Sequence, residues 1–272
     1  MQPVAAPIAM DASPVAVEDS SSSTNLRVAR SLRFDGYLTD GVGRPLYVFV
    51  GDVTGALESA CLGDCAREWP AFDVAVAEPG AELDATHVSR FHRQDGVWQT
   101  TYKGHPLYYR AAEVGTREVT GDGVALRWFV ARDYLVFLAS ARTFTPTGGT
   151  ATNDAFLTDG YGRTLYVCLD DQPRTAENDT ISSCNAACTL KRPLFAASET
   201  ARTTILPSVL SAGELDEWLR PDGQLQLTYR GWPLYYYGGD IAAGSTEGHN
   251  DSAWRAIDPV WFGLNPQTDS NN

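Results

Sequence analysis

The stretch Tyr37-Leu-Thr-Asp-Gly-Val-Gly-Arg-Pro-Leu-Tyr-Val-Phe49 returns later in the chain as Phe156-Leu-Thr-Asp-Gly-Tyr-Gly-Arg-Thr-Leu-Tyr-Val-Cys168. Each version sets Asp-Gly between short apolar runs, the pattern of a hairpin turn. Beyond the turn, apolar residues fall on both faces of an extended segment, Leu46, Val48 and Val50 on one and Tyr47 and Phe49 on the other. A strand covered on both sides is central or sandwiched. Further out, Cys61-Leu-Gly-Asp-Cys65 matches Cys184-Asn-Ala-Ala-Cys188, Thr101-Tyr-Lys-Gly-His-Pro-Leu-Tyr-Tyr109 matches Thr228-Tyr-Arg-Gly-Trp-Pro-Leu-Tyr-Tyr236, and Trp128 matches Trp254. The blocks keep one order at similar spacing, so the chain is a duplication with a long period rather than a solenoid of short repeats.

The remaining signals are also those of β structure. A second hairpin is expected at Asp95-Gly96 and Asp222-Gly223, with outgoing strands alternating Trp98, Thr100, Tyr102 and Leu225, Leu227, Tyr229. Gly104 and Gly231, each followed two residues on by Pro106 or Pro233, predict a bulge or corner. Short helical turns are expected at the cysteine pairs and over Ala212 to Leu219. The fold class is therefore mainly β: two tandem β-rich units built from hairpins. The divisions expected are a disordered or extended arm over residues 1–33, unit one over 34–142, and a Thr/Gly/Pro-rich linker over 143–152. Unit two then covers 153–266 and a tail 267–272.

Composition excludes several classes. Lys and Arg total 21 against 34 Asp and Glu, a net charge of -13. That surface repels nucleic-acid phosphate and anionic lipid and attracts a basic protein or a cation. No apolar run is long enough to span a membrane. The Ala/Val/Pro/Ser-rich start has no basic segment followed by an apolar one, so no export signal is visible, and the serine-rich run from Glu18 to Thr24 reads as tether.

These blocks resemble the secreted-repeat lipoprotein family, known for a Tyr-x-aromatic-x-x-Asp motif and without an established function. Tyr47, Phe49 and Asp52 fit the motif; Tyr166, Cys168 and Asp171 fit it except that Cys168 replaces the aromatic. Cys61, Cys65, Trp69 and Pro70 follow the family's cysteine pair and Trp-Pro, whereas unit two has Arg192 before Pro193. The resemblance implies an exported, extracytoplasmic protein, periplasmic or secreted. Members are often lipid-anchored through an N-terminal Cys, which has no counterpart here.

Given that compartment, disulfides within Cys61/Cys65 and Cys184/Cys188 are the leading reading, although four cysteines allow three pairings and a four-thiolate zinc site is the rival. Cys168 reads as a buried thiol. The tyrosine-rich runs, with Trp232, Tyr235, Tyr236 and Tyr237 foremost, are candidates for contact with a partner or glycan, against a reading in which alternate tyrosines pack inside. Asp240, Glu247 and Asp251 are weak candidates for a hard cation, and no two histidines have convincing metal spacing. No nucleophile elbow, phosphate loop or dinucleotide fingerprint occurs, so neither catalytic residues nor a cofactor are expected. The expectation is a non-enzymatic extracytoplasmic interaction module. One setting is an accessory subunit docked on the outer face of a membrane redox or photosynthetic complex, beside a basic or cytochrome-like partner. A small-ligand, glycan or metal-binding module of the cell envelope is the alternative.

Overall fold

The computed structural model describes residues 25–74, 79–113, 115, 118–140, 155–196, 205–249 and 251–259. In chain order, unit one contains β1 (Arg27–Ala29), β2 (Tyr37–Thr39), β3 (Tyr47–Phe49), α1 (Asp64–Glu68), β4 (Val88–His92), β5 (Trp98–Tyr102), β6 (His105–Pro106) and β7 (Trp128–Val130). There follow β8 (Val136–Ser140), β9 (Ala155–Asp159), β10 (Tyr166–Cys168), α2 (Ala186–Lys191), β11 (Leu215–Leu219), β12 (Leu225–Tyr229), β13 (Trp232–Pro233) and β14 (Trp254–Ala256). The small antiparallel sheets repeat in kind: β1-β2, β3-β7 and β4-β5-β6 correspond to β8-β9, β10-β14 and β11-β12-β13.

This correspondence moves two of the expected boundaries. Leu26 is fully buried and Arg27–Ala29 pairs with β2, so both belong to unit one rather than to an arm over residues 1–33. Likewise β8, which the sequence reading assigns to unit one, pairs along its length with β9 and plays for unit two the part that β1 plays for unit one. A strand is claimed by the ladder that satisfies its backbone, not by its nearest block of sequence. The expected linker and tail, 143–152 and 267–272, lie outside the described residues, as do residues 1–24 of the arm.

The first hairpin takes the same form in both units. Leu46 N donates to Leu38 O and Leu165 N to Leu157 O, each at 2.9 Å. The turn is not a two-residue Asp-Gly loop. Asp40 Oδ1 accepts from the backbone N of Val42 and Arg44, Asp159 Oδ1 accepts from those of Tyr161 and Arg163, and the left-handed residues are Gly43 and Gly162. Aspartate here replaces a backbone turn with its own side chain. At Gly104 and Gly231 there is no bulge. Lys103-Gly104 and Arg230-Gly231 have φ of 50° and 81° or 82°, two left-handed residues joining β5 to β6 and β12 to β13 in a tight hairpin. Ala212–Glu214 is a single 3-10 turn, and Leu215–Leu219, expected to continue as helix, is a strand because its backbone pairs with β12.

β3 is covered on both sides. Leu46, Val48 and Val50 face a core that also holds Val136, Leu157, Val167, Leu227 and Trp232, so the main core is continuous through both units. Tyr47 faces a second cluster with Cys61, Trp69, Tyr108 and Trp128. Among the described residues no helix is long and apolar enough to cross a membrane.

Candidate functional site

The motif tyrosines and carboxylates form crossed pairs. Tyr47 donates to Glu113 at 2.5 Å while Tyr108 donates to Asp52 at 2.5 Å. In unit two Tyr166 donates to Asp240 at 2.7 Å and Tyr235 to Asp171 at 2.8 Å. Every acid stands five residues after one tyrosine and binds the other. Tyr47 and Tyr108 also exchange backbone bonds at 2.8 and 2.9 Å, as do Tyr166 and Tyr235. Each unit thus consists of two related halves, each holding the other's tyrosine. Burial, reinforced by the bonded carboxylates, pushes the four tyrosine pKa values up, so all four remain neutral donors.

The motif aspartates also fix the cysteine loops. Asp52 accepts from Ala60 N and Asp171 from Ser183 N, both at 2.7 Å. Cys61–Cys65 and Cys184–Cys188 are disulfides with Cα separations of 5.1 and 5.2 Å. Arg93 donates to Cys61 O at 2.6 Å and Arg220 to Cys184 O at 3.0 Å, each with a second bond to a buried glutamine. The sequence reading passes over these arginines, although both precede the second Asp-Gly turn at the same distance. Cys168 is free and buried, and burial raises its thiol pKa.

Several expected contact residues lie inside. Trp232 is 7% exposed and Tyr235 fully buried, while Tyr236 and Tyr237 are half-buried. Trp232 and Tyr235 of the expected contact set are therefore core, while Tyr236 and Tyr237 keep part of their surface. The weak cation candidates do not converge either. Asp240 accepts from Tyr166 and from Glu247 N, and Asp251 pairs with Lys191 and Arg192. Among the described residues no three potential ligands cluster as a metal site would need.

What the fold does assemble is a cleft of about 620 Å³ between the units, its walls running from Val28 and Glu82 on one side to Asp159, Tyr161, Arg163 and Tyr236 on the other. Tyr161, 46% exposed, stands where unit one has Val42. Its hydroxyl lies 3.1 Å from His87 Nε2 and its ring centroid 4.8 Å from Lys103 Nζ, so groups of unit one hold a ring of unit two in place. Lys103 is itself paired with Asp133. Arg163 donates to Asp159 at 2.7 Å and to Tyr236 at 2.9 Å, and Arg30 grips Glu82 through two bonds of 3.1 and 2.8 Å. Behind the cleft, His105 of unit one has Nε2 3.0 Å from Gly160 O and Nδ1 3.3 Å from Thr54 Oγ1.

Two buried groups set an expected pH response. Burial raises Asp52 from 3.8 to about 6, against the bonds from Tyr108 and Ala60. Burial lowers His105 from 6.5 to about 4, against its bond to Gly160. Between pH 4 and 6 folded Asp52 keeps a proton that the unfolded chain has lost, so its contribution to stability falls as pH rises. Between pH 4 and 6.5 unfolded His105 keeps a proton that the folded chain lacks, so its contribution rises. The two oppose each other, while Asp171 and Asp240, also raised by burial, act with Asp52. Removing the histidine with His105→Gln is expected to shift the slope of stability against pH downward between pH 4 and 6 relative to the parent. Urea midpoints measured across that range for both proteins check this; parallel profiles would contradict it.

Comparison with known proteins places the chain. The model of a family described as a secreted repeat of unknown function matches residues 32–73 and 219–258. Two regions of the chain are similar to this secreted repeat, in keeping with two tandem copies. The matched segments are the first half of unit one and the second half of unit two, in keeping with halves that resemble each other. No curated protein and no solved structure matches the chain. The secreted repeat together with two disulfides points to an extracytoplasmic location.

Proposed function

We propose that this protein is an extracytoplasmic, non-enzymatic binding module that holds a small molecule in the cleft between its two units. One observation carries the reading: a cleft of about 620 Å³, within the ~300–1,000 Å³ usual for ligand sites, contains an exposed aromatic ring fixed from the opposite unit. Preorganised groups of this kind bind at little ordering cost. The motif carboxylates support a role without turnover, since each is committed to a tyrosine hydroxyl. Docking on a membrane redox or photosynthetic complex retains the net charge of -13 in its favour, but of its expected contacts Trp232 and Tyr235 are buried and Tyr236 and Tyr237 half-buried.

The test is a thermal-shift screen of small envelope components against the parent and Tyr161→Ala. Compounds that raise the parent Tm are expected to leave Tyr161→Ala unmoved, while the two unliganded proteins melt within about 2 °C of each other, as an exposed surface site allows. Hits that stabilise both proteins equally would place the ligand elsewhere.

A further inference from the structure

We infer that the ligand of this cleft is a neutral carbohydrate, an inference that rests on the cleft reading above and narrows it. The first ground is charge. Arg30 is paired with Glu82, Lys103 with Asp133 and Arg163 with Asp159. The two other charged lining residues, Arg132 and Asp35, cancel, so the described walls of the cleft carry no net charge in a chain whose total is -13. A charged ligand would have to break one of these pairs or leave an unbalanced charge beside it, and both oppose binding. The surrounding acidity further disfavours anions.

The second ground is what the paired groups present. An arginine locked to a carboxylate offers N–H donors and lone pairs side by side at fixed positions. A sugar hydroxyl donates and accepts at once, so a run of hydroxyls meets such pairs without displacing them. The Arg163, Asp159 and Tyr236 cluster is one such ladder, bonded at 2.7, 2.9 and 3.0 Å.

The third ground is the ring of Tyr161. Its hydroxyl is tied to His87 and Lys103 Nζ lies over one face, 4.8 Å from the centroid, yet 46% of this cleft-lining residue is exposed. A rigid, amphipathic ring beside polar pairs suits a ligand with one C–H face and a hydroxylated rim, which is the character of a pyranose. Ordering that ring needs no further loss of freedom on binding.

The test titrates the full chain by calorimetry with neutral hexasaccharides of glucose, mannose and N-acetylglucosamine, and with a hexuronate and a glucosamine hexamer, at 50 mM and 1 M NaCl. At least one neutral hexamer is expected to bind saturably, with Kd changing less than about twofold between the two salts, since no net charge is screened. Tyr161→Ala is expected to weaken it at least about tenfold, the scale of a lost aromatic contact. Trp98→Ala, which removes a 44% exposed aromatic outside the cleft, should bind as the parent does. Tighter binding of the hexuronate or the glucosamine hexamer, with the same dependence on Tyr161, would overturn the neutral assignment and leave the cleft reading standing. So would neutral hexamers that fail to bind while other small molecules bind through Tyr161. Neutral hexamers that bind Tyr161→Ala and parent alike would overturn the assignment. If no ligand of any class depends on Tyr161, both readings fall.

Discussion

Trp69→Ala is expected to remove about 3–5 kcal/mol of stability, the scale for emptying a buried tryptophan site. Trp69 is 2% exposed, stacks on Trp128 at a centroid distance of 4.0 Å and an interplanar angle of 3°, and meets Tyr47 edge-on at 5.3 Å. It is the centre of the cluster in which the two halves of unit one lock, because Tyr47 and Tyr108 both reach their acids beside it. A domain of ordinary stability holds ~5–15 kcal/mol, so the loss is a large fraction of the total. With m near ~3 kcal/mol/M, the urea midpoint should fall by more than about 1 M. Unit two supplies the contrast. Arg192 occupies the equivalent site, its guanidinium 4.0 Å from the Tyr237 centroid and 4.5 Å from that of Trp254, and Nη1 has no hydrogen-bond partner among the described residues. Its partner Asp251 is 42% exposed and also paired with Lys191. Arg192→Met should therefore cost less than Trp69→Ala, because the carboxylate it leaves is partly in solvent and keeps Lys191 as a partner. A small loss at Trp69 together with a large one at Arg192 would show that the stack is not the locking element.

Gly160→Ala is expected to cost more than about 3 kcal/mol, although glycine-to-alanine changes at tolerant sites cost far less. Gly160 N donates to Leu135 O at 3.2 Å, and its own carbonyl lies 3.0 Å from His105 Nε2. A Cβ at this position would collide with the carbonyl oxygen of Tyr134. The atom it meets is backbone, so no rotamer relieves the contact and the end of the β8–β9 ladder must open. Gly223→Ala is the control. Gly223 has φ +82° with nothing within 4 Å of a built Cβ, so only the left-handed conformation is penalised, by about 1–2 kcal/mol. Thermal unfolding of the two variants side by side separates the terms. A Gly160→Ala protein no less stable than Gly223→Ala would mean that the Tyr134 carbonyl does not close over Gly160.

Much of this architecture is legible in the sequence because its signals are local. Asp40, Asp159, Gly96 and Gly223 mark turns that form where they stand, and the cysteine pairs lie on or beside short helices. Two misreadings share one cause. The Tyr235–Tyr237 run looks like an exposed aromatic edge because alternation sends neighbours to opposite faces, yet one face meets the main core and the other the crossed tyrosine cluster. Ala212–Leu219 contains good helix formers, but its backbone completes a ladder with β12, and tertiary pairing overrides propensity. The tyrosine-acid crossing is half visible: the five-residue spacing can be read from the sequence, the exchange of partners cannot. The cleft is the least legible feature, since it depends on how one unit meets the other. Its only trace is Tyr161, a lone aromatic where the matching block has Val42.

The measurement that bears most directly on this account is a map of backbone amide shifts on titration with a ligand from the thermal screen. The account predicts that shifts appear on both walls at once, around Gly36, Leu83 and Lys103 in unit one and around Gly160, Tyr161 and Tyr236 in unit two, with the Tyr237 and Trp254 cluster unmoved. Shifts confined to one unit, or centred on Trp254, would contradict it.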